Sequence, residues 1–332
     1  MKTTPMTPLR ASSPRFVALR MALAATLALS GGALAQGPAK ADGKSTAKGA
    51  AKAAAAPAPA PVVEAPPPAP TPITRGQYLV KAGGCYACHT AEAKDAVAFA
   101  GGRGLKTPFG TFFGPNITPH PTAGIGKWTQ EDFNRAMREG RRPDGAHYFP
   151  AFPYTSFTQV TDADLGDMFA YLKSLAPNAT PSKEHDLRFP FGFRWPMAIW
   201  KWLFFKPGTF TADAGKSPQV NRGNYIVSAL SHCGECHTPR NFMGGLKRDR
   251  LLAGATKGPE GKAIPNITPT RLKGWSDADL AGFLKDGLTP DGDVTAEAMG
   301  EVVRNTTSQL TAEDLAAVVA YLRTVPALPA EK

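Results

Sequence analysis

The chain has 332 residues, 42% of them hydrophobic, and a formal net charge of +11. This length predicts about two domains, and the apolar fraction is sufficient for packed cores. The basic excess is spread along the chain, so we expect a solvated surface with at most weak steering toward acidic partner surfaces, and no nucleic-acid site.

Residues 1–35 have the pattern of a secretory signal peptide. A basic start without acids precedes an apolar run, Met21 to Ala35, that is too short to span a bilayer comfortably. Ala33-Leu34-Ala35 is a small-x-small cleavage site. We therefore expect export to the periplasm, including association with the outer face of the inner membrane. An uncleaved anchor is the alternative.

Residues 36–72 are rich in Ala, Pro, Gly and Lys. Repeated Ala-Pro pairs cannot form a packed core, so this segment is predicted to be a disordered, extended linker. It would provide reach toward a membrane or a partner, or it is a tail with no specific role.

Two short motifs use all four cysteines: Cys85-Tyr86-Ala87-Cys88-His89 and Cys233-Gly234-Glu235-Cys236-His237. C-x-x-C-H is the attachment signature of c-type haem. The two thiols form thioethers with the porphyrin, and the adjacent histidine binds the iron. The sequence therefore predicts two covalently bound haem c groups, with His89 and His237 as iron ligands.

Two other kinds of cysteine site fit these motifs less well. A closed zinc site needs four ligands, usually from two knuckles close in sequence, whereas these pairs lie far apart in separate matching segments. A thioredoxin-like redox pair needs a βαβ context, and no such pattern is present. Haem attachment is the better interpretation of both motifs.

The two motifs belong to an internal repeat. Three further pairs of segments match: Arg75–Val80 with Arg222–Val227, Pro115–Pro119 with Pro265–Pro269, and Trp128–Asp132 with Trp275–Asp279. We therefore predict two tandem domains of the same fold, residues 73–180 and 221–328.

The helices of each half have recognisable starts. Thr129, Thr161, Ser276 and Thr311 each have an Asp three residues later, which is the capping-box pattern with a short acid. Apolar residues then follow at helical spacing, and no run of alternating strand residues appears. The predicted fold class is all-α, with each small helical domain built around its haem, which supplies apolar core.

Between the halves lies a predicted inter-domain connector, residues 181–220. Its stretch from His185 to Phe210 interleaves phenylalanines and tryptophans with arginines and lysines. This pattern fits a connector that packs aromatics between the domains. It also fits a docking surface for a membrane interface or a partner subunit. The stretch is too short and too charged to span a membrane.

The paired C-x-x-C-H, P-N-I-T-P and W-[TS]-x-x-D segments resemble the multihaem cytochrome c subunits of bacterial alcohol and gluconate dehydrogenases. The resemblance covers about residues 73–326. Those subunits commonly have three haem domains, whereas this chain has two motifs. The chain is also similar to dihaem cytochromes c whose partners are less defined.

The resemblance implies electron transfer from a periplasmic or membrane-bound dehydrogenase. The acceptor would be a quinone, an oxidase or another cytochrome. It also implies that Trp128 and Trp275, with Asn116 and Asn266, pack near the haem edges and propionates.

Methionine is the common sixth ligand of c-type haem. Met137 and Met168 match apolar residues in the other half and are expected in the core, and Met243 follows His237 too closely. Met299 lies in the loop expected to carry the distal ligand, and the resemblance places the ligand there. We predict Met299 as the iron ligand of haem 2.

The first half has Phe152 where the repeat would place the equivalent of Met299. Phenylalanine cannot ligate iron. Three alternatives stay open for haem 1: His147 from the same loop, Met197 from the connector, or an open coordination position.

The predicted function is that of an electron-transfer protein without catalytic side chains. The protein would set the potentials and the distance of its two haems. The alternative is a haem enzyme, peroxidase-like or a small-molecule oxidase, that acts at an open haem 1.

Overall fold

The computed structural model describes residues 69–258 and 261–330. All of them belong to one compact unit that begins at Pro66. The predicted signal peptide, residues 1–35, and nearly all of the predicted linker, residues 36–72, lie outside the described residues. The predicted domain boundaries near residues 180 and 220 stay predictions, since the folded part forms a single unit.

Most of the described secondary structure is helical, in elements that follow the predicted repeat. The first half has α1 (Pro72–Ala82), α2 (Cys85–His89), α3 (Gln130–Glu139), α4 (Tyr154–Phe157) and α5 (Asp162–Ser174), and the connector has α6 (Pro196–Phe204). The second half has α7 (Pro218–Tyr225) with a π-helical turn (Ile226–Leu230), α8 (Gly234–His237), α9 (Pro269–Leu272), α10 (Asp277–Asp286), α11 (Glu297–Asn305) and α12 (Ala312–Thr324).

The helix pairs α1–α5 and α7–α12 form the centre of each half. A glycine lets each pair cross closely, because a β-carbon at Gly76 would collide with the carbonyl of Asp167 and one at Gly223 with that of Ala317. The repeated Arg-Gly-x-Tyr segments therefore encode a close helix crossing. Apolar residues from both pairs join one hydrophobic core.

Four predicted capping residues stand at helix starts, but only two complete the box. Thr129 and Ser276 accept hydrogen bonds from backbone N–H groups of α3 and α10. In both boxes the side chain of the aspartate three residues later accepts a hydrogen bond from the backbone N–H group of the capping residue. Thr161 and Thr311 cap α5 and α12 without this second hydrogen bond. Their partners, Asp164 and Asp314, are instead engaged between the two halves.

These two aspartates connect the halves through reciprocal tyrosines. Tyr78 of the first half donates to Asp314 at 2.5 Å, and Arg222 donates to the same carboxylate at 2.6 and 2.8 Å. Tyr225 of the second half donates to Asp164 at 2.5 Å. Arg75 completes that second cluster by donating to Asp164. The tyrosine of each Arg-Gly-x-Tyr segment thus binds the opposite half.

A small antiparallel sheet was not expected, and the all-α prediction is wrong in this respect. Its strands are β1 (Gly104–Thr107), β2 (Gly110–Phe113) and β3 (Asp186–Leu187), in that order. Strands of two to four residues are too short to show an alternation of apolar and polar residues, so the hydrophobic pattern of the sequence does not predict them.

The predicted connector is partly built into both halves. Its strand β3 pairs with β2, and α7 already begins at Pro218. None of the described helices combines the length and the apolar character needed to span a bilayer.

Candidate haem sites

The first attachment motif forms the short helix α2. It is preceded by Gly84 in the left-handed conformation (φ 65°), which glycine adopts at little cost. One helical turn presents Cys85, Cys88 and His89 together; Cys85 is half-buried and Cys88 is exposed. This is the arrangement that a flat cofactor with two attachment points requires.

A carbonyl holds the proximal histidine of this motif. The Nδ1–H group of His89 donates to the carbonyl oxygen of Pro115 at 2.7 Å. Nδ1 is therefore engaged and Nε2 is left to bind a metal, the usual division of roles in a metal-bound imidazole. Burial lowers the pKa of His89, which favours the neutral ligand form.

Asn116 fixes the loop that carries Pro115. Its amide group donates to the carbonyls of Asn178 and Thr180, both at 2.9 Å, and its oxygen accepts from Thr118. The expectation that Asn116 packs near a haem edge and propionate stays a prediction, and its amide N–H groups are both engaged within the protein. Its role is to hold the carbonyl that orients His89.

The second motif repeats this construction. Cys233 precedes α8, and His237 donates from Nδ1 to the carbonyl of Pro265 at 2.8 Å. Asn266 again accepts from Thr268 and donates to the carbonyl of Leu328 at 2.8 Å. The P-N-I-T-P repeat is therefore the support of the proximal histidines.

The geometry fits haem c better than the two alternatives. Within residues 69–258 and 261–330, no three His, Cys, Asp or Glu side chains cluster around one metal position, as zinc would require. Burial raises the pKa of Cys85 and Cys233 to about 12, opposite to the lowered pKa of disulfide oxidoreductases. The paired thiols and oriented imidazoles suit covalent attachment and axial ligation.

The predicted distal residues occupy different surroundings. Met299 is half-buried in the first turn of α11, so it lies on a helix and not in a loop. Phe152 is packed against the core, with its ring 5.3 Å from that of Tyr148 and 5.7 Å from that of Phe157. Met137 and Met168 are buried in the core as expected.

The other two candidates for haem 1 lie toward the connector. Met197 is half-buried at the start of α6. Burial, with Lys201 and Arg141 nearby, lowers the pKa of His147, whose Nδ1 is buried without a hydrogen-bond partner. The three alternatives for the sixth position of haem 1 thus stay predictions.

Comparison with known proteins identifies the family. A cytochrome c family model matches residues 73–176. A "Diheme cytochrome c-type" protein of Cereibacter sphaeroides is 45% identical over 259 residues, which cover 77% of this chain and 86% of that protein. The chain belongs to the c-type cytochromes. It is an electron-transfer cytochrome whose cofactor is covalently bound haem c.

This cytochrome also resembles longer dehydrogenase subunits. The alcohol dehydrogenase (quinone) cytochrome c subunit of Gluconacetobacter polyoxogenes is 36% identical over 282 residues, covering 81% of this chain and 59% of that protein. The fructose dehydrogenase cytochrome subunit of Gluconobacter japonicus is 41% identical over 262 residues, covering 77% of this chain and 53% of that protein. The cytochrome thus spans a little over half the length of these subunits. The family resemblance drawn from the sequence motifs is confirmed.

Sequence reasoning missed the contacts that the second attachment motif and the turn before it make with the first half. Glu235, inside the second motif, accepts from Thr155 at 2.5 Å and from Ser156 at 2.8 Å, both in the first half. Ser231 donates to the carbonyl of Ala82 at 2.9 Å. No spacing rule predicts these pairs. A carboxylate within the attachment motif was the one available signal.

Proposed function

We propose that the protein is a dihaem cytochrome with two tandem cytochrome c domains, residues 73–180 and 221–328, linked by residues 181–220. Cys85, Cys88 and His89 would hold haem 1. Cys233, Cys236 and His237 would hold haem 2, with Met299 as its sixth ligand. The observation that supports this proposal most strongly is the pair of C-x-x-C-H motifs, in each of which the histidine Nδ1 lies 2.7 or 2.8 Å from a proline carbonyl oxygen.

Close approach of the residues that directly precede the two motifs supports electron transfer within the chain. His232 directly precedes Cys233, and a β-carbon at Gly84 would lie 3.8 Å from its Nε2. Its ring is also 5.3 Å from that of Phe157. Bound haem supplies the reversible one-electron chemistry, and the protein contributes axial ligands, attachment and spacing. No side chain is proposed to be catalytic.

The donor in this proposal is a periplasmic or membrane-bound dehydrogenase. The acceptor is a quinone, an oxidase or another cytochrome of a respiratory chain. Similarity to the cytochrome subunits of alcohol and fructose dehydrogenases supports a dehydrogenase donor. We propose a periplasmic location with contact to the outer face of the inner membrane, supported by the signal-like sequence of residues 1–35.

Haem counting tests the dihaem proposal. Pyridine haemochrome absorbance and intact mass should give two covalent haems per chain. The Cys233→Ala/Cys236→Ala variant should retain one, and so should Cys85→Ala/Cys88→Ala. A single haem in the unmodified protein would contradict the proposal. So would two haems in either variant.

One observation favours a second candidate function, a haem enzyme at haem 1. Phe152 stands where the repeat places the equivalent of Met299, and the buried Met137 and Met168 belong to the core. An open haem 1 would bind carbon monoxide and show a high-spin ferric band. If both haems are low-spin and inert to carbon monoxide, the enzyme alternative is eliminated and the carrier proposal stands.

A further inference from the structure

An apolar stripe of α6 faces solvent. Trp195, Ile199, Trp202 and Leu203 are 69%, 54%, 82% and 46% exposed. Their spacing along the chain places them on one side of the helix. A helix of a globular domain normally turns its apolar side toward the core, whereas α6 turns this side toward solvent.

The opposite side of α6 is fixed to the protein. The buried Lys201 donates to the carbonyls of Glu139 and Gly140 at 2.5 and 2.7 Å. The indole N–H of the buried Trp200 donates to the carbonyl of Met243 at 2.9 Å. The stripe cannot turn inward without breaking these hydrogen bonds, so its exposure is built into the fold.

The turn before α6 enlarges this surface. Phe189, Phe191 and Phe193 are 86%, 46% and 51% exposed. We define the aromatic face as the exposed side chains of residues 189–203. Seven exposed large apolar side chains lie within these fifteen residues, in contrast to the single scattered ones of ordinary surfaces, which marks the face as an interaction site.

The polar chemistry of the aromatic face is limited. The two charged residues within the segment 189–203 are engaged with the protein: Arg194 donates to the carbonyl of His147 at 3.0 Å, and the buried Lys201 donates to the carbonyls at the end of α3. The exposed Arg188 and Lys206 stand at its two ends, and no acid occurs from one to the other. Apolar and aromatic side chains with a basic rim match the interface of an anionic bilayer.

We propose that the aromatic face inserts into the surface of a bilayer that contains anionic lipid. A protein partner would need directional hydrogen bonds that this face hardly offers beyond its exposed indole groups. A lipid interface needs aromatic rings at headgroup depth and cations beside phosphate, which this face provides. The inference refines the membrane contact in the proposed function, but lipid binding is measured without any electron donor.

Vesicle flotation of the purified holoprotein tests the proposal. Binding to phosphatidylcholine vesicles that contain phosphatidylglycerol should exceed binding to pure phosphatidylcholine. The Trp195→Ala/Trp202→Ala variant should lose on the order of tenfold or more in affinity, because two exposed rings that would insert into the bilayer are removed. The matched control Ile73→Ala/Val97→Ala removes exposed apolar side chains elsewhere and should bind like the unmodified protein.

Two further measurements keep the test decisive if a variant folds poorly. Brominated lipids should quench tryptophan fluorescence in the unmodified protein. Arg188→Gln/Lys206→Gln should reduce the preference for phosphatidylglycerol. The proposal is overturned if the unmodified protein binds neither vesicle, or if the tryptophan variant binds equally well. Self-association through this face without vesicle binding would show a second copy as the occupant and also overturn it.

Discussion

Phe152 and Met299, which occupy the proposed distal positions, are the main difference between two otherwise matching sites. The proximal sides share the same histidine, the same proline carbonyl and the same asparagine support. A thioether sulfur ligates iron and a phenyl ring does not. Different ligand chemistry at the two haems is therefore expected from single side chains.

Replacing Met299 with alanine should remove the methionine-to-iron charge-transfer absorbance of the ferric protein near the red end of the spectrum. The reason is the loss of the proposed sulfur ligand of haem 2. Optical spectra of the oxidised protein provide the measurement. Met243→Ala, at a methionine that is 41% exposed, is the control and should keep the band. A surviving band in Met299→Ala would show that the ligand assignment is wrong.

Replacing Phe152 with methionine should give haem 1 a ligand, provided that the site is open in the unmodified protein. We expect a second methionine-to-iron band and the loss of carbon monoxide binding. Difference spectra with carbon monoxide provide the measurement. Phe149→Met, at a neighbouring buried position, serves as the control. Equal carbon monoxide binding before and after Phe152→Met would argue against this reading of the repeat.

At this scale the sequence predicts the attachment residues because covalent chemistry requires fixed spacing. Cys85, Cys88 and His89 must lie on one turn, and that constraint is visible in the chain. The function of Asn116 was not visible, because its hydrogen bonds reach residues 178 and 180, far along the sequence. The distal ligand of haem 1 depends on loop geometry for the same reason.

At the scale of elements, the reciprocal tyrosines are the principal polar connection between the helix pairs. Tyr78 and Tyr225 each bind a buried carboxylate of the other half at 2.5 Å. Both hydroxyls also lie close to the N–H groups of the capping threonines, at 3.4 and 3.1 Å. Capping and docking of the halves thus use the same groups.

Tyr78→Phe and Tyr225→Phe should each reduce the free energy of unfolding by about 1.5–3 kcal/mol, the range for a hydrogen bond to a charged group. Denaturant unfolding provides the measurement. Tyr171→Phe is the matched control, because its hydroxyl interacts with Gln77 of the same half, and it should cost about 1 kcal/mol or less. Equal effects at all three positions would contradict a special role for the inter-half bonds.

Asp314 should make stability depend on pH in the acidic range. Burial favours its neutral form, but hydrogen bonds from Arg222 and Tyr78 outweigh this and hold its pKa below the ordinary value. The stabilisation is present above the unfolded-state pKa of about 4 and is lost as pH falls through the lower folded-state pKa. Unfolding measured from neutral to acidic pH should show this decline.

Asp314→Asn should flatten that acidic decline. The control is Asp277→Asn, since Asp277 is 73% exposed in its ion pair with Arg323. We expect the control to keep the slope of the unmodified protein. An unchanged slope in Asp314→Asn would assign the acid sensitivity to other carboxylates.

Helices were predictable where a cap and an apolar face coincide, as at Thr129 and Thr161. The sheet of β1, β2 and β3 was not, because it pairs strands of four residues with a two-residue strand from the connector. The close crossings at Gly76 and Gly223 were visible only as a repeated motif. The need for glycine at these two positions follows only from the position of the backbone that crosses them.

At the scale of the whole molecule, the two halves share a hydrophobic core and exchange hydrogen bonds in both directions. We expect them to unfold as one cooperative unit. Circular dichroism and haem absorbance should therefore give coincident denaturant transitions. In the Tyr78→Phe/Tyr225→Phe variant the two transitions should separate. Separate transitions in the unmodified protein would show that the halves are independent.

The matched proximal hydrogen bonds have a consequence for the direction of electron flow. His89 and His237 donate to their prolines at 2.7 and 2.8 Å, so both imidazoles should push electron density toward the metal equally. On the proposal that Met299 ligates haem 2 and that haem 1 lacks a methionine ligand, the distal side would raise the midpoint potential of haem 2 above that of haem 1. The half that carries Met299 would then be the stronger electron sink, and electrons would pass from the first half to the second.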